Sequence, residues 1–328
     1  MNQEIRKLTA IAQCYSKKLD MVIKEVKKII VGQENILRML VISLIADGHV
    51  LLEGVPGLAK TLMIKTLADT LDVSFCRIQF TPDLLPADII GTKIFNHKKN
   101  SFYTQKGPIF NNFILADEIN RAPPKVQSAL LEAMQERQVS IHGETFKLQN
   151  PFLVLATQNP IETEGTYTLP EAQIDRFMLK LLITYPNINE EKVIIRKNTQ
   201  NIDIETKNVL VSKDIIKIQK FNRMVYIDEK IEDYVSKIVE ATRYPENYGI
   251  DVGDLIEYGA SPRASICLVL CGKAHALLDG RGYVVPDDIK AVAHDVLRHR
   301  IILTYEADAE NITSDDIINK IISRIKPP

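Results

Sequence analysis

The residues Gly54-Val55-Pro56-Gly57-Leu58-Ala59-Lys60-Thr61 form the stretch of this chain best suited to chemistry. They follow a short apolar run, Val50-Leu51-Leu52, and lead into a helix-like segment from Leu62 to Leu71. A strand, a glycine-bearing loop, Lys-Thr and a helix make a cradle for phosphate, because loop N–H groups and the positive helix end converge. Lys60 adds a mobile ammonium for β and γ phosphates, and Thr61 offers a hydroxyl to Mg2+. One position departs from the G-x-x-x-x-G-K-[ST] spacing: Ala59 stands where glycine is usual. A methyl group there calls for a negative φ. The plainer reading is a loop that only turns a strand into a helix.

Such a cradle needs a partner that holds Mg2+ through water and activates the attacking water. Phe113-Ile114-Leu115-Ala116-Asp117-Glu118 supplies it: an apolar strand that ends in adjacent carboxylates. Neighbouring side chains of a strand point to opposite faces, so Asp117 can face the metal while Glu118 reaches over the γ-phosphate as general base. The next apolar run, Phe152 to Ala156, ends in Thr157-Gln158-Asn159-Pro160. If the two strands are neighbours, the Asn159 amide lies beside the carboxylates and can orient the attacking water. Asn159-Pro160 also reads as a turn, and both readings can hold. Arg176 precedes the last apolar run, within Pro170-Glu171-Ala172-Gln173-Ile174-Asp175-Arg176-Phe177. Asp175-Arg176 alone reads as a surface ion pair, but an arginine supplied in trans can stabilise a transferring phosphoryl group. Ser261-Pro262-Arg263 opens a helix, with Ser261 at the cap and Pro262 in the first turn. Arg263 then projects from the helix start, where it can reach back to nucleotide phosphate.

The elements that must carry these residues follow from periodicity. Leu8, Ile11, Leu19, Val22, Ile23, Val26 and Ile30 recur at helical spacing, so residues 1–30 read as one amphipathic helix packed on the rest. Val31-Gly32-Gln33 interrupts it before a second helix, Glu34 to Ala46. Apolar runs at Val50–Leu52, Phe75–Phe80, Phe113–Ala116, Phe152–Ala156 and Phe177–Ile183 alternate with helical stretches. That pattern predicts a doubly wound α/β domain with a parallel sheet, ligands at its carboxyl edge, over residues 31–186. Two hairpins interrupt it, one over Thr92–Thr104 and one over Gln138–Leu148. They read either as surface decoration or as contact elements. Beyond Pro186 the runs turn helical, which predicts an all-α second domain over residues 187–328.

Composition sets the remaining bounds. A chain of 328 residues suggests about two domains. With 41 basic against 42 acidic residues, nothing announces a nucleic-acid binder, although a local basic channel fits within a neutral total. No apolar leader is visible at the N-terminus, and the longest apolar run, Met39 to Ala46, is too short for a membrane span. Four cysteines include Cys267 and Cys271 one helical turn apart, read as small buried residues rather than a metal or redox pair. These features suggest a reducing, cytoplasmic setting. The histidines are scattered, and no metal-ligand cluster stands out.

Taken together, the motifs resemble those of AAA+ ATPases, and within them the MoxR family of the helix-2-insert clade. The resemblance runs from about Val31 to Arg300 and rests on the Gly54–Thr61 loop, Asp117-Glu118-Ile119-Asn120-Arg121-Ala122-Pro123-Pro124-Lys125-Val126-Gln127, Ala156–Pro160 and Pro170–Phe177. Alanine at position 59 is itself usual in that family. The resemblance implies ATP and Mg2+ as cofactors, with Lys60 and Thr61 in Walker A and Asp117 and Glu118 in Walker B. It makes Asn159 sensor 1, Arg176 the arginine finger for a neighbouring subunit and Arg263 sensor 2. It places Gly32 and Gln33 near the adenine and makes the first hairpin the helix-2 insert. It gives Arg121 no firm role. It also implies rings, usually hexamers, chaperone-like remodelling and partners with von Willebrand factor A domains. The competing reading is a related motor acting on DNA through Lys98 and Lys99 at the first hairpin tip.

Overall fold

The computed structural model describes residues 3–55, 57–159, 165–199 and 205–328. Pro56 and Pro160, both in the motifs above, lie outside the described residues. The chain opens with helices α1 (Gln3–Ile29) and α2 (Glu34–Ile45), then strand β1 (Val50–Glu53) and helix α3 (Lys60–Thr70). Strand β2 (Phe75–Gln79) and helix α4 (Pro86–Ile90) lead to a hairpin of β3 (Gly91–Asn96) and β4 (Ser101–Lys106). After β5 (Phe113–Asp117) and α5 (Pro124–Glu136) comes a second hairpin, β6 (Gln138–Ile141) and β7 (Glu144–Lys147). Strand β8 (Leu153–Gln158), the short α6 (Glu171–Ile174) and β9 (Leu179–Leu182) complete this half.

Five of these strands form one parallel sheet in the order β2-β5-β8-β1-β9. Alternation along each strand divides its apolar side chains between two cores. Leu52, Leu115, Leu155 and Leu181 point into one, with α1, α2 and α3. Leu51, Ile114, Val154 and Ala156 point into the other, against α5 and Phe80. Burial on both faces explains why the strands read as continuous apolar runs. Each fully buried leucine contributes about 1.5–3 kcal/mol. His49 enters this interior as a polar exception. Its Nδ1 accepts the Val154 N–H at 3.0 Å and its Nε2 lies 3.2 Å from the Met134 carbonyl, so Nε2 carries the proton.

The C-terminal part is mainly helical: α7 (Ile188–Thr199), α8 (Ser212–Met224), α9 (Glu229–Ala241), α10 (Pro262–Leu278), α11 (Pro286–Leu297), α12 (Tyr305–Ala309) and α13 (Ser314–Arg324). A small antiparallel pair, β10 (Ile256–Tyr258) and β11 (Ile302–Leu303), lies among them. Helix α1 packs on α3 but equally on α10, and Ser16 donates to the Leu278 carbonyl at 2.7 Å. Cys267 and Cys271 are buried in α10, and burial raises both thiol pKa values, as small core residues require.

The two hairpins leave the sheet side by side. Lys93 of the first pairs with Glu144 of the second at 2.7 Å, and Thr92 Oγ1 lies 3.5 Å from His142 Nε2. Phe102 and Tyr103 stay exposed on the first. At the foot of the second, Arg137 donates to the Asp47 carbonyl at 2.9 Å, and Gln219 of α8 donates to the Leu44 carbonyl at 2.8 Å.

Candidate nucleotide-binding site

The carboxyl ends of β1, β2, β5 and β8 lie level, because Gln79 pairs with Asp117, Ala116 with Ala156 and Leu52 with Thr157. That edge opens into a cavity of about 510 Å³. Its size is ordinary for a small-molecule site. The loop after β1 forms one wall. Gly54 is squeezed there: a Cβ on it would stand 2.7 Å from the Ile183 carbonyl oxygen. Gly57 has φ 85° and nothing within 4 Å of a Cβ, so its backbone faces open space. Val55 is half-buried between them, and Leu58 lines the cavity.

Ala59 corrects an expectation. Its φ is 53°, in the left-handed region, where the sequence argument calls for a negative value. As the N-cap of α3 it supplies no side-chain acceptor. The first N–H groups of α3 are therefore left for another partner, as a helix that receives an anion requires. The left-handed turn aims them at the cavity, at a cost of about 1–2 kcal/mol for an L-residue. Lys60 folds back over the loop and donates to the Gly54 carbonyl at 2.5 Å. Burial lowers its pKa, opposed by the nearby carboxylates of Asp117, Glu118 and Glu53. Thr61 and the half-exposed Leu62 complete this wall.

Opposite stand the carboxylates. Asp117 Oδ1 accepts the Thr157 hydroxyl at 2.6 Å, and Oδ2 accepts Arg77 Nε at 2.9 Å and Nη2 at 2.5 Å. Glu118 follows with φ 57°, a bend that swings its side chain off the strand line and over the cavity. Its N–H donates to Thr157 Oγ1 at 2.8 Å. Its Oε2 accepts Gln79 Nε2 at 2.8 Å and faces Arg121 Nε at 3.3 Å. Asn159 lines the same cavity, beside the carboxylates as expected from adjacent strands. Thr61 and Asp117 both face this space, and hydroxyl plus carboxylate oxygen is a donor set that suits Mg2+. The sequence argument misses Arg77, Gln79 and Thr157.

A smaller apolar recess of about 140 Å³ adjoins the loop, between Ile30 and Val31 on one side and Leu58, Leu62 and Ile194 on the other. Gln33 lines it, with φ 55°, and donates to the Thr184 carbonyl at 2.7 Å. Gly32 turns the chain behind it with φ 70°, where a Cβ would lie 2.6 Å from the Glu190 carboxyl carbon.

Arg176 and Arg263 lie elsewhere. Arg176 lines a separate groove with Glu132, Gln135 and Glu136 of the α5 region. Asp175 does not pair with Arg176 as a surface ion pair. Its Oδ2 lies 3.2 Å from Arg263 Nη1 and accepts the Ser261 hydroxyl at 3.1 Å, while Oδ1 accepts Arg300 Nε at 2.7 Å. Ser261 does cap α10, accepting the Arg263 N–H. Arg263 is thus held by Asp175 and does not line the cavity of the phosphate loop. Among the described residues, none from 205–328 lines either cavity, and α7 lines only the smaller recess, through Ile194 and Lys197.

One cluster escapes the sequence argument. His275, Asp279 and Asp288 bring their ligand atoms within 4.8 Å of one another. Arg281 donates to both oxygens of Asp288, at 2.6 and 2.7 Å, so a guanidinium takes the place a cation would.

Comparison with known proteins agrees with this geometry. The profile of the ATPase family associated with various cellular activities (AAA) matches residues 49–179, and that of the AAA lid domain matches residues 251–321. The chain is 49% identical over 311 residues to Chaperone MoxR1 of Mycobacterium tuberculosis, covering 94% of this chain and 82% of that one. It is 29% identical over 324 residues to protein MoxR of Methylorubrum extorquens, covering 93% and 94%. A crystal structure of a candidate ATPase from Cytophaga hutchinsonii superposes with a TM-score of 0.93 at 50% identity, over 100% of both chains. With a sheet whose carboxyl edge gathers a phosphate loop and paired carboxylates, and with relatives this similar along nearly its whole length, the chain belongs to the MoxR family of AAA+ ATPases.

Proposed function

We propose that the chain binds ATP in this cleft, hydrolyses it to ADP and phosphate, and works as a ring-forming remodeller of protein complexes. One observation carries the first part: four level strand ends bring Lys60, Thr61, Asp117, Glu118 and Asn159 around one cavity. Lys60 and the uncapped start of α3 hold the phosphates, and the apolar recess beside Val31 takes the base. Thr61 and Asp117 would hold Mg2+, which when bound draws charge from the phosphate oxygens. Glu118 removes the proton of the attacking water, and the Asn159 amide orients that water.

Arg176 and Arg263 stand apart from this cleft, around Asp175. The separation of Arg176 supports a ring, a hexamer by family resemblance, in which Arg176 faces the nucleotide of the next protomer and Arg263 acts as sensor 2. A guanidinium delivered there stabilises charge on the transferred phosphoryl group. On this reading residues 31–186 form the nucleotide-binding unit, 187–328 the lid and 1–30 a helix bracing both. The exposed hairpins meet the client. A partner with a von Willebrand factor A domain rests on the resemblance alone.

The test is Glu118→Gln. It should keep ATP affinity within about twofold, because the cradle is intact, and lose turnover at least about 100-fold. Unchanged turnover would remove Glu118 as the base. Held with ATP, the same variant should retain a von Willebrand factor A partner that the ADP form releases. Salt-sensitive DNA binding instead would move the client from protein to DNA.

A further inference from the structure

Arg77 has no part in the reading above, yet it holds one oxygen of the carboxylate assigned to the metal. It lies two residues before Gln79 on β2, so both side chains share one face of the strand and reach the neighbouring end of β5. Its Nε and Nη2 both donate to Asp117 Oδ2, at 2.9 and 2.5 Å. The other oxygen, Oδ1, is engaged by the Thr157 hydroxyl. Arg77 Nη2 also donates to Gln79 Oε1 at 2.7 Å, and Gln79 passes its own donor to Glu118 Oε2 at 2.8 Å. A single guanidinium thus neutralises one carboxylate and orients the amide that restrains the other.

A divalent cation drawn to Asp117, directly or through a water, meets the guanidinium that already neutralises this carboxylate. Two cations do not share one carboxylate oxygen without strong repulsion. We propose that Arg77 is a built-in counter-cation for Asp117, which neutralises the carboxylate as an ion pair in the nucleotide-free cleft and is displaced when Mg2+ and ATP enter. This rests on the nucleotide reading of the cleft. Arg77 is a positioning residue in this account, since it acts through Asp117 and Gln79. Its side chain is about half exposed, 48%, which leaves it room to swing aside.

The test compares wild type, Arg77→Gln and Arg77→Lys by equilibrium binding of a fluorescent ATP analogue, with Mg2+ and with the metal chelated. The ratio of the two affinities is the coupling between metal and nucleotide, and it is reciprocal. Removing a partly exposed ion pair should raise that ratio about fivefold in Arg77→Gln. The rise should come from tighter binding with Mg2+, while affinity without metal stays within about twofold. Arg77→Lys keeps the charge but loses the paired donation to Asp117 and Gln79, so its ratio should fall between wild type and Arg77→Gln. An unchanged ratio in Arg77→Gln, with nucleotide binding intact, overturns the proposal. So does a rise produced wholly by weaker binding without metal, which would make Arg77 a phosphate ligand. Absence of analogue binding by wild type would instead sink the nucleotide reading, and this proposal with it.

Discussion

Ala59→Gly is a small substitution whose sign the backbone decides. Ala59 sits at φ 53°, ψ 26° and its methyl group is exposed, so removing the methyl costs no packing. An L-residue in that conformation carries about 1–2 kcal/mol of strain, which glycine does not. Glycine gives back about 0.5–1 kcal/mol through its greater freedom in the unfolded chain. The expected net gain is about 0.5–1 kcal/mol, or about 1–3 °C in Tm for a chain of this size. Thermal unfolding without nucleotide reads it directly. Ala68→Gly, inside the same helix and fully buried, is the matched control and should lose about 1 kcal/mol or more. ATP affinity of Ala59→Gly should change little, because the N–H groups keep their places; a large gain would show that the alanine weakens the cradle. A fall in Tm for Ala59→Gly would refute the left-handed geometry and the reasoning built on it.

Two further outcomes follow from the same structure. Arg176→Ala should bind nucleotide normally and lose turnover. Mixed in equal amounts with Glu118→Gln, it should recover about a quarter of wild-type turnover, since some interfaces then unite an intact Glu118 with an intact Arg176. A mixture that stays inactive would show that each chain carries its whole site. The His49 imidazole is held down to about 3 by burial, with Arg137 as a second cause, against 6.5 in the open chain. Its contribution is thus fully present above pH 6.5 and is lost as pH falls toward 3, at up to about 1.4 kcal/mol per pH unit. Tm measured from pH 7.5 down to 5.5 should fall, and His49→Gln should flatten the curve; an equal slope in that variant would refute the assignment.

Much of this architecture is written locally. The three central strands, β1, β5 and β8, appear as apolar runs because both faces of the sheet are covered there, and helix α10 runs over the span its Ser-Pro start and apolar length suggest. Helix α13 was also legible in principle: Thr313 and Asp316 form a capping box ahead of Ile317 and Ile318, a signal the apolar-run argument passes over. Strand order is another matter, because it depends on which runs pair across long separations. Arg77 and Gln79 show the consequence. Their alternation at the end of an apolar strand hints at a polar face, but only pairing of β2 with β5 sets that face against Asp117 and Glu118. The partner of Arg263 is hidden for the same reason. That arginine's helix cap was readable, whereas its partner Asp175 lies 88 positions away in the chain. The conformation of Ala59 misled because the steric rule treats strain as prohibitive, while the local helix start tolerates it.

The tie between Lys93 and Glu144 changes what the two hairpins are mechanically. Separate antiparallel pairs of this length bend easily about their stems. Joined by an ion pair between the stem of the first and the turn of the second, they become the two legs of a braced frame. The second leg is footed by Arg137 on Asp47, within the same corner that Gln219 of α8 grips. A load placed on the exposed aromatic tip of the first leg therefore passes into the second and down to that corner. Torque from α8 travels the same route outward.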